Sequence, residues 1–281
     1  MDIDVLLNHK IGFIGGGNIA QALIGGLVVN GFPREQICVA ESSESVREVL
    51  QEKDISIFKE STDMLYWVDV VILAVKPQEL ASVLEPLKNL FKDKLIISIV
   101  AGASLSTLAQ LTNTYNIVRA MPNIPALVQT GAHGIFASAD VNEVDRNLSA
   151  KILAVTGLCI WVKAESDLDA VTAISGSGPA YFFYMMESMI RAGKNMGLDE
   201  KTAAALTLQT ALGAAQMAIS SGFSPAELRK KVTSPNGATE AALQVFDRES
   251  ISQSIQTALA AAQKCSQTLT QGLSESTKSS S

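Results

Sequence analysis

The sequence has few of the residues that metal sites, disulfide frameworks and histidine-based active sites require. Its 281 residues include three cysteines, Cys38, Cys159 and Cys265, and two histidines, His9 and His133. The cysteines are odd in number and far apart, so they offer neither a disulfide framework nor zinc-ligand spacing, and they suit a reducing compartment. Two isolated histidines argue against a histidine metal site and against a Ser–His catalytic triad.

Long hydrophobic runs and an excess of positive charge are also missing. The stretch Val70–Val75 has the length of a strand, well short of the ~18 residues that cross a bilayer. The first ten residues lack the charged-then-apolar pattern of an export signal. With 22 Lys and Arg against 28 Asp and Glu, the formal net charge is -6, which disfavours nucleic acid and anionic membranes as partners. We therefore expect a cytoplasmic protein that binds neither nucleic acid nor a membrane.

Hydrophobic residues make up 47% of the chain, enough for a sizeable core, and their spacing changes after Lys163. Before that point short apolar runs alternate with helix-like stretches, which predicts an α/β domain with a mostly parallel, Rossmann-type sheet. From Ser166 onward Ala, Leu, Met and Gln follow a helical period without a β pattern. The expected strands are Ile11–Ile14, Ile37–Ala40, Val68–Val75, Lys94–Val100, Asn116–Met121, Gly134–Ala137 and Leu158–Val162, the last two at an antiparallel edge.

The predicted organisation is a sheet domain over residues 1–163, an all-helical dimerisation domain over residues 164–272, and a disordered polar tail over residues 273–281. Gly272 is expected to end the last helix. Helices so rich in small and apolar residues usually bury more than one face. A helical domain of about 110 residues has too little interior to cover them all, so we expect a two-fold dimer with interleaved helices.

A glycine-rich turn near the start of the chain fits the phosphate-binding turn of dinucleotide-binding folds. Residues 15–20 read Gly-Gly-Gly-Asn-Ile-Ala, a G-x-G-x-x-A motif between a predicted strand and a predicted helix. Gly15 would make the tight turn, Gly17 would let the backbone approach a pyrophosphate, and Ala20 would let the helix pack closely on the strand. Free N–H groups at the helix start would face the phosphates. An ordinary glycine-rich turn is the alternative.

The residues after the second predicted strand bear on the choice between NAD and NADP. Glu41 would bind a ribose 2′-hydroxyl and favour NAD. Ser42 and Ser43 would instead donate hydrogen bonds to a 2′-phosphate, helped by Arg47, and favour NADP. For Arg47 a place on a solvated helix face is an equally good interpretation.

Two later strand ends are expected to form the wall of the nicotinamide half of the site, since ligands bind at the carboxyl ends of strands in an open α/β sheet. Lys76 is explained more readily as an exposed lysine at a strand end. Asn123, in a proline-rich strand exit, would bond either the cofactor amide or a neighbouring loop. The wall residues are Val75, Lys76 and Pro77 at one strand end and Ala101 and Gly102 at the other.

In the helical half, the polar turn Thr233–Thr239 separates two predicted helices. Gly237 frees the backbone, and the following helix begins with unpaired N–H groups, which attract a carboxylate without a lysine or arginine. This predicts an anion pocket lined by Ser234, Thr239 and backbone N–H groups. A plain connector between helices is the alternative.

Over roughly residues 10–270 the sequence resembles the pyrroline-5-carboxylate reductase family. The resemblance rests on GFIGGGNIAQALIGGL, AVKP, RAMPNIPALV, SGSGPAY, LTLQTALGAAQM and, most specifically, ELRKKVTSPNGATEAAL. It implies reduction of 1-pyrroline-5-carboxylate to L-proline, the last step of proline synthesis, with NADPH usually preferred over NADH. It also implies dimers or rings of dimers, with each active site bordered by both subunits.

The resemblance also assigns roles to individual residues. Thr239 matches the threonine whose hydroxyl meets the ring nitrogen of the substrate, and it is the catalytic candidate. The sequence departs from the family pattern at three positions. Asn236 stands where the family commonly has a second glycine, and Ile124 stands where it commonly has threonine. Glu41 is unexpected at an NADP site. The matched positions are Ser234, Gly237 and Ala238 for the substrate carboxylate, Gly15, Gly17, Asn18 and Ile19 for the phosphates, Ser42 for the 2′-phosphate, and Val75, Lys76, Pro77, Ala101 and Gly102 for the cofactor wall.

The implied chemistry suits a sequence without a catalytic histidine, because a protonated cyclic imine accepts hydride without a strong base. Two other functions remain open. A related β-hydroxyacid dehydrogenase would need a catalytic lysine in its helical domain, and Lys194 lacks that motif context. A non-enzymatic, redox-sensing dinucleotide binder would keep Gly15–Ala20 but would have no reason to keep the 233–239 turn.

Overall fold

The computed structural model describes residues 5–279, with side chains through Thr277, and its contacts divide the chain into two compact units. The sheet unit contains the residues up to Ser177 and again from Ala262, and the helical unit is Gly178–Ala261. Residues 164–177 and 262–272, which the sequence pattern groups with the helical domain, therefore make their contacts within the sheet unit. Both ranges contain helical segments, but these segments belong to the sheet unit.

The sheet unit is built on eight strands. They are β1 (Ile11–Ile14), β2 (Ile37–Ala40), β3 (Ser56–Phe58), β4 (Val70–Leu73), β5 (Leu95–Ser98), β6 (Ile117–Met121), β7 (Gly131–Ala137) and β8 (Gly157–Trp161). Their order is β3-β2-β1-β4-β5-β6-β7-β8, and every neighbouring pair is parallel except β6 and β7. The predicted mostly parallel sheet is confirmed, and β7 and β8, which are parallel to each other, form the predicted edge that runs antiparallel to the other strands. Strand β3 was not predicted because three residues at a sheet edge are too few to show a period.

Helices cover both faces of this sheet. Along β1, Ile11 and Phe13 belong to one apolar cluster, which includes side chains of α1 and α6, whereas Ile14 belongs to a second cluster on the other face. Strand β4 alternates in the same way, because successive side chains of a strand point to opposite faces. The helices of this unit are α1 (Asn18–Val29), α2 (Glu44–Gln51), α3 (Ser61–Leu65), α4 (Leu80–Leu84), α5 (Leu105–Thr112), α6 (Glu143–Ala154) and α7 (Asp167–Val171).

The helical unit contains α8 (Gly178–Asn195), α9 (Glu200–Ser220), α10 (Pro225–Lys231), α11 (Ala238–Arg248) and the first part of α12 (Ile251–Ser279). Capping fixes where two of these helices begin. The Asp199 carboxylate accepts the Thr202 N–H, and Ser224 with Glu227 forms the predicted capping box in front of α10. The predicted all-helical second half is confirmed. Between residues 5 and 279, none of the helices is both long enough and apolar enough to cross a membrane.

Helix α12 does not end at Gly272, and the predicted disordered tail is wrong for residues 273–279, which are helical. Leu273 packs against one of the two core clusters, and the Ser274 hydroxyl lies 3.1 Å from that of Thr107. Thr277 is buried, and its hydroxyl donates to the carbonyl of Leu273. Side-chain burial and these hydrogen bonds outweigh the low helix propensity of serine and threonine. Residues 280–281, also in the predicted tail, lie outside the described residues.

Candidate active site

The glycine-rich turn lies between β1 and α1, and its geometry requires glycine at its first position. Gly15 has a φ of 95°, and its N–H donates to the Ala40 carbonyl at 2.9 Å. A Cβ on Gly15 would lie 2.7 Å from the carbonyl oxygen of Ala74. The turn therefore fits closely between the carboxyl ends of β2 and β4, as the motif predicts.

The other positions of the motif leave room and donors for a phosphate. A Cβ on Gly17 would meet nothing within 4 Å, and no side chain caps the start of α1. Asn18 and Ile19 lie in the first turn of α1, where backbone N–H groups have no partner within the helix. Ala20 is 1% exposed, in agreement with close helix–strand packing. This open space in front of a helix start fits the pyrophosphate of a dinucleotide.

The Glu41 carboxylate stabilises the loop after β2 through hydrogen bonds to the backbone. Its two carboxylate oxygens accept the N–H groups of Gly16 and Ser43, each at 2.7 Å. The Arg47 guanidinium donates to the carbonyl oxygens of Ser42, at 2.7 Å, and Glu41, at 3.1 Å. Glu41 and Arg47 thus fix this loop against the glycine-rich turn, a role that the sequence pattern does not reveal. The Ser42 and Ser43 side chains remain exposed at its tip.

A cavity of about 350 Å³ opens beside this loop, in the size range of ligand pockets. The predicted residues Gly15, Ser42 and Val75 contribute to its lining. Its far side is formed by residues 59–62, directly after β3. The sequence analysis missed these residues because it missed β3. The structure therefore brings three of the predicted cofactor residues together around one cavity.

The residues of the predicted wall of the nicotinamide half differ in how exposed they are to solvent. Val75 is half-buried and Pro77 opens a short 3-10 turn, whereas Lys76 is exposed and its Nζ lies 4.0 Å from Glu79 Oε1. Lys76 therefore has the surroundings of a surface lysine. Ala101 is exposed, and Gly102 has a φ of 75°, so that turn also favours glycine.

The turn that contains Ala101 and Gly102 is supported by an ion pair that the sequence analysis did not identify. Arg119 Nη1 on β6 lies 2.5 Å from Glu165 Oε1, and the same oxygen accepts the Leu105 N–H at 2.6 Å. The Arg119 side chain is 11% exposed and that of Glu165 is 32% exposed, so the pair is partly shielded from water. Glu165 therefore anchors the start of α5, directly after the turn. No sequence pattern signals a contact between residues 46 positions apart.

Asn123 bonds neighbouring loops, the second of its two predicted alternatives. Its Nδ2 donates to the Ser175 carbonyl and its Oδ1 accepts the Ala132 N–H, both at 2.9 Å. It is 8% exposed. Asn123 therefore holds the exit of β6 to the start of β7 and to the segment before α8.

In the helical unit, the turn between α10 and α11 has the conformation that the predicted anion pocket needs. Gly237 is the N-cap of α11, and no side chain caps this end of the helix. The Gly237 N–H donates to the Ser234 carbonyl at 3.0 Å. Asn236 has a φ of 57°, a left-handed conformation that asparagine adopts more easily than most residues. Its N–H donates to Glu240 Oε2 at 2.8 Å. The departure from glycine at Asn236 is therefore compatible with this turn.

The candidate substrate residues lie together in this turn and are accessible. Ser234, Ala238 and Thr239 are exposed and Gly237 is half-buried. Ala238 and Thr239 begin α11, where backbone N–H groups lack helical partners. A carboxylate placed here would be stabilised by these N–H groups and by the positive end of the helix dipole.

Other chemistry finds less support in the described residues. Lys194 forms a surface ion pair with Glu200, with 2.7 Å between Nζ and Oε2 and side chains 46% and 74% exposed. It is therefore a poor candidate for the catalytic lysine of a β-hydroxyacid dehydrogenase. Within residues 5–279, no group of three or more His, Cys, Asp or Glu side chains is arranged to hold a metal ion.

Comparison with known proteins agrees with both units. Residues 165–269 match the family model described as pyrroline-5-carboxylate reductase dimerisation. Residues 10–102 match the model described as NADP oxidoreductase, coenzyme F420-dependent. The second match covers the glycine-rich turn, the Glu41 loop and the cofactor wall, and the first covers the Ser234–Thr239 turn.

Relatives match over nearly the whole chain. A pyrroline-5-carboxylate reductase of Pseudomonas aeruginosa is 44% identical over 269 residues, which cover 95% of this chain and 98% of the relative. The structure of a Coxiella burnetii pyrroline-5-carboxylate reductase is 38% identical, with a TM-score of 0.88 over 93% of this chain and 98% of that chain. A Plasmodium falciparum pyrroline carboxylate reductase with NADP bound is 30% identical, with a TM-score of 0.84 over 94% and 99%. The chain therefore belongs to the pyrroline-5-carboxylate reductase family.

Proposed function

We propose that this protein reduces 1-pyrroline-5-carboxylate to L-proline, the last step of proline synthesis, with NADPH as preferred hydride donor and NADH as second choice. The observation that carries the proposal is the Ser234–Thr239 turn, whose exposed hydroxyls and unpaired N–H groups suit a small carboxylate beside a ring nitrogen. A redox sensor that binds only a dinucleotide has no use for such a turn.

Each residue of the turn has a definite part in the proposed reaction. The N–H groups of Ala238 and Thr239, with the Ser234 hydroxyl, hold the substrate carboxylate, and Gly237 allows the close approach. The Thr239 hydroxyl meets the ring nitrogen and orients the imine. Hydride adds to the carbon of the protonated imine, the C=N π electrons move to the nitrogen, and the proton already on the nitrogen becomes the N–H of the secondary amine of proline. A group that orients an already electrophilic imine needs no strong base.

The sheet unit supplies the residues that would hold the cofactor. Gly15, Gly17, Asn18 and Ile19 would bind the pyrophosphate, and Ser42 and Ser43 would meet the 2′-phosphate. Val75, Lys76, Pro77, Ala101 and Gly102 would line the nicotinamide half. A bound reduced nicotinamide supplies the hydride. The preference for NADPH is supported by the exposed serine hydroxyls and by the loop geometry that engages Glu41 with backbone N–H groups.

We further propose that the protein works as a two-fold dimer or a ring of dimers. Support comes from the match to a dimerisation family model and from the large apolar side chains that α8 and α9 leave exposed. A cytoplasmic location is a further prediction, consistent with three free cysteines at Cys38, Cys159 and Cys265.

The test is oxidation of NADPH by the purified protein in the presence of 1-pyrroline-5-carboxylate, with chromatographic detection of proline. We expect proline in equal amount to the NADPH consumed, and a lower KM for NADPH than for NADH. A protein that binds NADPH but consumes none with this substrate would contradict the proposed reaction. Oxidation of β-hydroxy acids with NADP instead would favour the dehydrogenase alternative.

A further inference from the structure

Strand β3 places a lysine at the cofactor cavity. The register of β2 and β3 sets Ala40 beside Phe58, so the next residues, Glu41 and Lys59, leave neighbouring parallel strands at the same edge of the sheet. Both residues line the cavity that also contains Ser42. Lys59 therefore belongs to the part of the cavity where the adenosine end of a dinucleotide binds in a sheet of this type.

The charges around this cavity make the lysine distinctive. Among the described residues that line it, three carry carboxylates, Glu41, Glu60 and Glu79, and Lys59 is the one cation. Glu41 is engaged by two backbone N–H groups, and Glu79 has a cation, Lys76, at 4.0 Å. Among residues 5–279, by contrast, no ion pair or hydrogen bond engages the exposed Lys59 side chain.

The nearby Arg47 side chain binds backbone carbonyl oxygens of the loop instead of lining the cavity. Arg47 Nη1 donates to two backbone carbonyls of the loop and does not line the cavity. Without Lys59, a phosphate dianion entering the cavity would face carboxylates with only serine and threonine hydroxyls and backbone N–H groups as donors. The ammonium group of Lys59, which lines the same cavity as Ser42, offsets that repulsion.

We propose that Lys59 is the cation that meets the 2′-phosphate of NADPH and thereby sets the preference of this enzyme for NADPH over NADH. The inference rests on the proposed function for the identity of the cofactor. It assigns to Lys59 a part in specificity rather than in catalysis, because the 2′-phosphate takes no part in hydride transfer.

The experiment measures binding of two fragments by calorimetry, so that it needs neither the pyrroline substrate nor turnover. Adenosine 2′,5′-bisphosphate carries the 2′-phosphate and adenosine 5′-monophosphate lacks it. We expect Lys59→Gln to weaken binding of the bisphosphate about tenfold, the effect of losing one charge-assisted contact. Binding of the monophosphate should change less than about twofold. Lys59→Arg should retain most of the parent affinity.

Lys92→Gln is the matched control, since Lys92 is an exposed lysine of the same unit that does not line the cavity. It should leave both affinities unchanged. The parent preference for the bisphosphate should also weaken as ionic strength rises, because added salt screens a contact between exposed charges.

Equal loss of both fragments in Lys59→Gln, or no loss of either, would overturn the assignment, as would parent protein that does not distinguish the two. Failure of the proposed function would look different. Parent protein that binds the bisphosphate through Lys59 but does not reduce 1-pyrroline-5-carboxylate would leave the lysine assignment intact and reject the reaction. Melting curves of each variant show that the exposed substitutions leave the fold intact.

Discussion

The sheet unit and the helical unit differ in how they bury apolar side chains. Among the described residues, every buried apolar side chain except that of Ala203 lies in the sheet unit. Helix α8 of the helical unit instead leaves Phe182 68%, Phe183 63% and Tyr184 71% exposed. Because helices stabilise a protein mainly by packing an apolar face, the sheet unit can form its own core, whereas the helical unit needs further surface to cover its helices.

The comparison also separates two kinds of binding residue. The sheet unit surrounds its cofactor candidates with fixed loops, such as the Glu41 carboxylate bridging two N–H groups. The helical unit presents Ser234 and Thr239 on an exposed turn. Substitutions in the two units should therefore affect different properties, and the following predictions test that separation.

The largest effect is expected from placing a charge on the exposed face of α8. Phe183→Glu should raise the dissociation constant of the dimer on the order of a hundredfold, because a carboxylate would be buried without a partner. Folding of the helical unit and activity should fall together with assembly. Light scattering and melting curves at several protein concentrations measure this.

Val144→Glu is the control, since Val144 is 62% exposed on α6 of the sheet unit. It should leave assembly unchanged. The parent protein could instead be active as a species near 30 kDa, with a melting temperature that does not depend on protein concentration. That result would contradict the proposal that the helical unit needs a second subunit to cover its apolar side chains.

The next effect concerns two glycines of the same turn. Gly15→Ala should lower the free energy of unfolding by about 2–4 kcal/mol, because it strains a left-handed residue and crowds the Ala74 carbonyl. Gly17→Ala should leave stability nearly unchanged and weaken NADPH binding, because its Cβ would fill the open space in front of α1. Urea unfolding and calorimetry distinguish these outcomes. Equal destabilisation by both would contradict the proposed division.

A catalytic effect without a stability effect is expected at Thr239. Thr239→Ala should lower kcat/KM by roughly ten- to a hundredfold through loss of one hydrogen bond to the substrate nitrogen. NADPH affinity and the melting temperature should stay close to those of the parent, because Thr239 is exposed and belongs to the other unit. Thr239→Ser, which keeps the hydroxyl, should recover most of the activity. An alanine variant as active as the parent would remove Thr239 from the mechanism.

The smallest effect is a pH dependence of the sheet unit that comes from His133 on β7. Its Nε2 lies 2.9 Å from the Thr156 hydroxyl, which itself donates to the Leu153 carbonyl. Its Nδ1 has no hydrogen-bond partner in the part of the chain that the structure describes. Burial lowers the pKa of His133 from 6.5 to about 4. Below pH 6.5 the unfolded chain binds the proton more readily than the folded one, so stability falls as the pH drops towards about 4.

The expected loss between pH 7 and pH 5 is roughly 1–2 kcal/mol. His133→Leu removes this titration, so the variant should lose less stability than the parent over the same interval in denaturant unfolding. Parallel pH profiles for the two proteins would show that His133 does not contribute. The comparison between variant and parent cancels the carboxylates that titrate in the same range.

Features that repeat locally could be predicted from the sequence, and features that depend on distant contacts could not. The alternation of apolar runs predicted seven of the strands, and the G-x-G-x-x-A motif predicted the tight turn at Gly15, where the structure has a φ of 95°. The three-residue strand β3 has no period, so Lys59 escaped notice. Likewise, the pairing of Arg119 with Glu165 depends on the folded arrangement of β6 and the segment before α7.

The polar C-terminal segment is a second case in which contacts with distant residues overrule a prediction from the sequence. Its composition indicates disorder, yet Leu273 and Thr277 are held in the sheet unit. The composition of a segment indicates only its average tendency to be ordered or disordered. The helical conformation of this segment depends on contacts with distant residues, such as the packing of Leu273 against the core. The composition of this segment therefore does not reveal that it belongs to the sheet unit.

The return of α12 to the sheet unit has a consequence for biosynthesis. Residues from Ala262 onward contact the sheet unit through Leu273 and through the Ser266 hydroxyl, which donates to Asp169 Oδ1 at 2.6 Å. A ribosome makes this segment only after it has made all of Gly178–Ala261. The sheet unit therefore leaves the ribosome with part of its surface uncovered and completes its packing only after the helical unit has been synthesised.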